Sequence, residues 1–86
     1  MNFLVSRHAK EELLRRQIPD LWLKSVLENP EQRIRQPGGQ EMLQSRLVSA
    51  NGKMYLMRAV VAADKDPPVV ITVYRTSKID KYWRPG

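Results

Sequence analysis

The hydrophobic pattern of this chain changes its period once, near residue 31. Over residues 7–17, Ala9 and Leu13 recur at helical spacing. His8, Glu12 and Arg15 form a separate polar stripe about 60° wide on the same helix. Ser6 stands where an N-cap accepts the first amide protons, and Glu11 and Glu12 lie near the positive end of the helix dipole. Pro19 fits the first position of a second helix over residues 19–28, whose apolar stripe is Trp22, Leu23, Val26 and Leu27. Asn29-Pro30 stops it, because proline disfavours helical backbone at the residue before it.

From Gln32 onward the alternation is every second residue. Residues 32–36 predict a weak edge strand closed by Pro37-Gly38-Gly39, and residues 41–49 a second strand. Asn51-Gly52 predicts a two-residue hairpin loop, since both residues tolerate positive φ, and residues 53–62 follow as a third strand. A polar loop leads to a β-branched fourth strand over residues 69–76. The expected fold is α+β: two N-terminal helices packed on a four-stranded antiparallel sheet, one domain over residues 1–86.

A two-residue loop also implies a register. Ala50 would pair with Lys53, Val48 with Tyr55, Arg46 with Met57 and Ser45 with Arg58. Opposed residues share a face, so Arg46 and Arg58 are expected on opposite sides of the sheet, where they cannot easily serve one site. On the last strand Thr72, Tyr74 and Thr76 share one side.

Composition then removes several kinds of chemistry. The 86 residues include no cysteine and one histidine, which excludes disulfides and a thiolate metal site or nucleophile and argues against a zinc site. No metal ligand set and no cofactor motif is found: a glycine-rich phosphate loop, a nucleophile elbow and an acidic magnesium cluster are all missing. The longest apolar run, Ala59 to Ala63, is too short to span a bilayer. A soluble cytoplasmic protein without membrane contact is the expectation.

Charge shifts the picture toward an anionic partner. Fifteen Lys and Arg against nine Asp and Glu give a net charge of +6. The excess is one in residues 1–30 (five against four) and five in residues 31–86 (ten against five), so it falls on the predicted sheet and tail. At the C-terminus Arg75, Lys78, Lys81 and Arg84 are interleaved with Tyr74, Tyr82 and Trp83. Cations position phosphates and aromatic faces stack on bases, the combination a single-stranded nucleic-acid surface uses. The candidate RNA-binding residues are Arg46, Arg75, Lys78, Lys81, Tyr82 and Trp83, with RNA or ribosome-associated RNA as the partner.

The inventory that remains suits one reaction, cleavage of RNA by its own 2′-hydroxyl. That reaction needs proton transfer and cations that stabilise the crowded phosphate, but no protein nucleophile. The candidate catalytic residues are His8 for proton transfer, Arg58 as a bidentate phosphate ligand, and Thr72 and Tyr74 as hydrogen-bond or proton donors. Each also has a plain structural reading. His8 can be an incidental helix-surface histidine with Glu12 as its solvated partner, Arg58 half of an ion pair, and Tyr82 and Trp83 an anchor for the terminus.

Phe3-Leu4-Val5-Ser6-Arg7-His8-Ala9-Lys10-Glu11, Gln17-Ile18-Pro19, Leu27-Glu28-Asn29-Pro30-Glu31, Met57-Arg58-Ala59-Val60-Val61 and the run from Ile71 to Trp83 carry a resemblance in their order and spacing. Together they resemble the bacterial domain of unknown function 4258, a family similar to the RelE-like toxins and the wider group of barnase and the colicin ribonucleases. The resemblance implies two N-terminal helices against a four-stranded antiparallel sheet. It matches the family's early-helix histidine to His8, its third-strand arginine to Arg58 and its last-strand threonine to Thr72. The basic residues and tyrosine expected near the C-terminus of RelE-like enzymes are approximated by Arg75, Lys78, Tyr74 and Tyr82. The implied activity is a toxin-like, metal-independent endoribonuclease with an acidic antitoxin protein as partner. A non-catalytic RNA-binding module and a protein-interaction module are the alternatives.

Overall fold

The chain enters as a two-residue strand, β1 (Leu4–Val5), before Ser6 turns it into α1 (Arg7–Arg15). A computed structural model describes residues 2–85. The Ser6 hydroxyl accepts from the Ala9 amide at 3.0 Å and donates to the Ile71 carbonyl at 3.0 Å. One side chain therefore caps the helix and ties it to the last strand. α1 stops short of residue 17 because Gln17 takes a left-handed backbone, φ 54°. The Gln17 amide then reaches the Leu14 carbonyl at 3.2 Å and the Ile18 amide the Leu13 carbonyl at 2.9 Å. This Schellman closure satisfies the last carbonyls and delivers Ile18 to the core. α2 (Asp20–Glu28) begins one residue later than expected, since Pro19 supplies its extended cap and not its first helical residue.

Four longer strands follow, β2 (Gln32–Gln36), β3 (Gln40–Val48), β4 (Met54–Ala62) and β5 (Val69–Thr76), then a short α3 (Ile79–Tyr82). The result is a mixed α+β architecture with three helices and a five-stranded sheet in the order β1-β5-β4-β3-β2. The four-strand, two-helix expectation is corrected at both ends of the chain. β1 lies parallel to β5 through Leu4↔Val69 and Val5↔Val70. Two residues are too few to show an alternating pattern, so only the pairing itself reveals β1. The four-residue α3 falls below the length at which helical periodicity becomes visible.

α1 and α2 cover one face of the sheet. Ala9, Leu13, Ile18, Leu23, Val26 and Leu27 pack there against Leu43, Met57, Ala59, Val61, Val70 and Val73 in one apolar core. Burying a side chain of this size contributes about 1.5–3 kcal/mol, which makes this layer the main stabilising element of the fold. No helix among the described residues is long and apolar enough to cross a membrane.

The β3–β4 turn holds the most consequential correction. Ser49 pairs with Lys53, leaving Ala50, Asn51 and Gly52 at the tip, a three-residue loop where two were expected. The Asn51 side chain accepts the Lys53 amide at 3.1 Å, and only Gly52 is left-handed, φ 84°. That is a type I turn closed by a glycine, and not the type I′ turn that Asn-Gly most simply suggests. One extra loop residue slides the register by one and flips every side chain of one strand relative to the other. The observed pairs are Gln44↔Arg58, Ser45↔Met57, Arg46↔Leu56, Leu47↔Tyr55 and Val48↔Met54. Arg46 and Arg58 therefore share a face, against expectation.

Candidate functional site

Gln44, Arg58 and Tyr74 lie side by side across β3, β4 and β5, through the pairs Gln44↔Arg58 and Arg58↔Tyr74. They occupy the face turned away from α1 and α2, because their neighbours Leu43, Met57, Ala59 and Val73 point into the helix-side core. Met42 and Leu56 are buried on the same second face and stand outside that core. What crosses this face is the segment after β5.

Arg58 is 7% exposed. Its Nε donates to Gln44 Oε1 at 2.9 Å, and its Nη1 donates to the Tyr74 hydroxyl oxygen. The Tyr82 ring centroid lies 4.2 Å from the guanidinium carbon, and the Tyr74 ring 5.5 Å. No carboxylate among the described residues pairs with it. A buried arginine ordinarily has an acidic partner, since removing a lone charge from water costs several kcal/mol. Here two neutral oxygens and an aromatic face carry it. Every fully buried polar side-chain atom among the described residues has a partner, and Nη2 makes no hydrogen bond to a described residue, so Nη2 keeps some exposure to solvent.

Two glutamines link this cation to the C-terminal segment. Gln44 is fully buried, and its Nε2 donates to Gln32 Oε1 at 2.7 Å and to the Tyr82 carbonyl at 3.2 Å. Gln32 in turn accepts from the Arg84 amide at 3.1 Å and donates to the Arg84 carbonyl at 2.6 Å. Beside them Arg46 makes a two-pronged pair with Glu31, Nε to Oε1 at 3.2 Å and Nη2 to Oε2 at 3.0 Å, and lies 4.0 Å from the Trp83 ring centroid. The Arg46 guanidinium holds the Glu31 carboxyl below its usual range. Glu31 keeps Arg46 charged in return.

The remaining sequence candidates divide between the faces. Thr72 pairs with Val60, two residues along from Tyr74, and shares the Arg58 face. Lys78 and Lys81 are exposed on the segment that crosses it. His8 stands elsewhere. α1 packs against the other side of the sheet, where His8 is exposed with Nε2 3.6 Å from Glu12 Oε1. Glu12 is buried, against the expectation of a solvated partner, and Arg16 and Arg15 bonded to its carboxylate hold its pKa below the usual range. Arg75 also faces the helix side, opposite Met57, with its guanidinium carbon 5.2 Å from the Trp22 ring and 4.9 Å from the Tyr55 ring. Among the described residues, no cluster of three or more His, Cys, Asp or Glu is arranged to hold a metal ion.

The family model for the Domain of unknown function (DUF4258) matches residues 5–75. The chain belongs to that family. No curated protein and no solved structure gives a significant match. The matched span of this DUF4258 domain holds Gln44, Arg58, Thr72 and Tyr74, and ends before α3, Tyr82 and Trp83.

Gln32, Gln44 and Glu31 are absent from the sequence-derived candidates, yet they connect the site. Gln44 carried a signal. It is a neutral polar residue directly after the apolar pair Met42-Leu43, at a strand position with room for a partner but none for water. Gln32 and Glu31 carried none, since they meet the site only through the β2–β3 pairing.

Proposed function

We propose that this DUF4258 domain binds single-stranded RNA on the face opposite its helices, with Arg58 and Tyr74 gripping a backbone phosphate, in a fold related to the RelE-like toxins. The observation that carries this reading is Arg58: a nearly buried, oriented guanidinium paired with no carboxylate among the described residues, in a chain of net charge +6. A phosphate supplies an anion that those residues do not, and the guanidinium fork matches its geometry. Arg46 adds a second cation, and Trp83 offers a base-sized ring beside it. Lys78 and Lys81 form a solvated cationic rim. The test is a salt titration of RNA affinity. Binding is expected to weaken steeply with salt, and Arg58→Met to weaken it about tenfold or more at fixed salt. Equal affinity for the wild type and Arg58→Met would remove the site.

Cleavage is the second reading, favoured by the bond from Arg58 to the Tyr74 hydroxyl oxygen. A phenol that accepts there keeps its own proton free to donate. The RNA 2′-oxygen would attack phosphorus and lose its proton to water. The bond from phosphorus to the 5′-oxygen would break as that oxygen takes the Tyr74 proton, leaving a 2′,3′-cyclic phosphate, while Arg58 stabilises the charge on the phosphoryl oxygens. His8 has no part in this step. Incubation with RNA in EDTA, beside the same strand made of deoxynucleotides, separates the readings. Breaks confined to RNA and lost in Tyr74→Phe support cleavage, and an intact strand leaves a binding module.

A further inference from the structure

The segment that covers Arg58 is held by few contacts, and among the described residues none of those that fasten it to the sheet is an ion pair between side chains. α3 has no buried residue and no side-chain cap. Ile79, Tyr82 and Trp83 are half-buried, while Lys78, Asp80, Lys81 and Arg84 are exposed. The segment is fastened by three backbone groups bonded to the amides of Gln32 and Gln44, and by the Lys78 amide donating to the Thr76 hydroxyl. Two rings complete the hold: Tyr82 lies on Arg58 and edge-on to Tyr74, and Trp83 lies on Arg46. A segment with so little buried apolar surface opens at the low end of local stability. The Arg58 hydrogen bonds to Gln44 and Tyr74 come from the sheet alone, so the cation stays oriented when the segment lifts.

Resting on the RNA-binding reading above, we infer that residues 78–84 form a strap that shields Arg58, and that an RNA phosphate opens it by displacing the Tyr82 ring from the guanidinium. The exchange runs in favour of the phosphate. A charged oxygen bonded to a guanidinium gains more than a ring quadrupole does, and the donors Nη1 and Nη2 need not leave the sheet to make that bond. Lifting the strap also takes Trp83 off Arg46 and brings both arginines to one open face. The Gln44 side chain transmits the change, since one amide touches Arg58 through its oxygen and the Tyr82 carbonyl through its nitrogen. The strap thus lowers the affinity of the closed protein for RNA by the fraction of time it is shut.

The experiment uses the intact chain. Trp22→Phe leaves Trp83 as the sole tryptophan and a direct reporter of the strap. Its emission is followed while either a short single-stranded oligouridylate or inorganic pyrophosphate is added, and binding is measured in parallel by a method that does not use fluorescence. Both ligands are expected to shift the Trp83 emission with the midpoint of binding. Tyr82→Leu is expected to tighten oligouridylate binding, about tenfold if the strap is open about a tenth of the time. If the oligouridylate binds without moving Trp83, and Tyr82→Leu fails to tighten it, the strap falls and the RNA site stands. If pyrophosphate moves Trp83 while the oligouridylate does not bind, the strap stands and the RNA reading falls. If neither ligand moves Trp83, the strap is overturned whatever the affinity.

Discussion

On the helix side of the sheet the apolar core comes from both helices and three strands, so each of its residues is held by neighbours distant in sequence. On the other side Met42 and Leu56 share the buried layer with a fully buried Gln44 and a cation that pairs with no carboxylate among the described residues, and α3, which lies over it, buries no residue of its own. The first layer is stabilised by apolar area and packing, the second by hydrogen bonds that must be complete to be worth having. One sheet therefore carries a face built for stability and a face whose polar chemistry is kept at some cost to stability, the division expected where a site is grafted onto a scaffold.

The contrast breaks most visibly at Leu43. Leu43→Ala removes a buried aliphatic side chain beneath the helices and is expected to lower unfolding free energy by about 2–5 kcal/mol in urea titrations. A smaller loss would mean that the helices repack easily over the sheet. On the opposite face, Gln44→Leu keeps the approximate volume but leaves Arg58 Nε, the Tyr82 carbonyl and Gln32 short of partners. The expected cost is about 1–3 kcal/mol, with Trp83 emission moving toward that of a solvated ring. Arg58→Met sets two terms against each other. It removes a buried charge but orphans Gln44 Oε1, so urea stability should change by less than about 1 kcal/mol while RNA binding collapses. A large loss of stability in Arg58→Met would make the arginine a structural group.

Acid separates the faces more finely. Glu12 belongs to the helix side and Glu31 to the strap side, and arginines lower both carboxyl pKa values in the folded state. A group lowered in this way contributes its stability fully above its unfolded value near 4.5 and loses it as pH falls through the lower folded value. The wild type should therefore lose stability below that pH, and Glu31→Gln should lose less, read as the urea midpoint against pH. Because the two glutamates share no partner, Glu12→Gln and Glu31→Gln should add.

The helices, the meander and most of the core were legible because period and turn residues are local properties. The site was legible as a set of residue types and illegible as an arrangement. Arg58, Thr72 and Tyr74 could be named from their strands, but whether Arg46 joined them depended on one residue in the β3–β4 loop. The Asn51 side chain decides that loop by capping the Lys53 amide, a preference that competes with the type I′ turn and leaves no mark in the dipeptide. His8 had the right chemistry and a helix-surface position. Which side of the sheet α1 covers is a tertiary fact, set by where α1, carrying Ala9 and Leu13, docks on β5 in the shared core. Tyr82 and Trp83 suggested a base-stacking tail, and nothing local showed that they fold back over Arg58.

The bond from Ser6 to the Ile71 carbonyl spans 65 residues, and β1 pairs with β5 over the same distance. A ribosome releases a chain from its N-terminus at about 5–20 residues per second, so α1 is made several seconds before its docking strand exists. The β3–β4 hairpin can close in microseconds once residue 62 has emerged, whereas Ala9 and Leu13 on α1 must wait for β5. Until then the apolar stripe of α1 lacks the strand it covers. The interval in which this protein is most exposed to aggregation and proteolysis is therefore set by its last strand, and a slow codon or stall between residues 62 and 73 would prolong it.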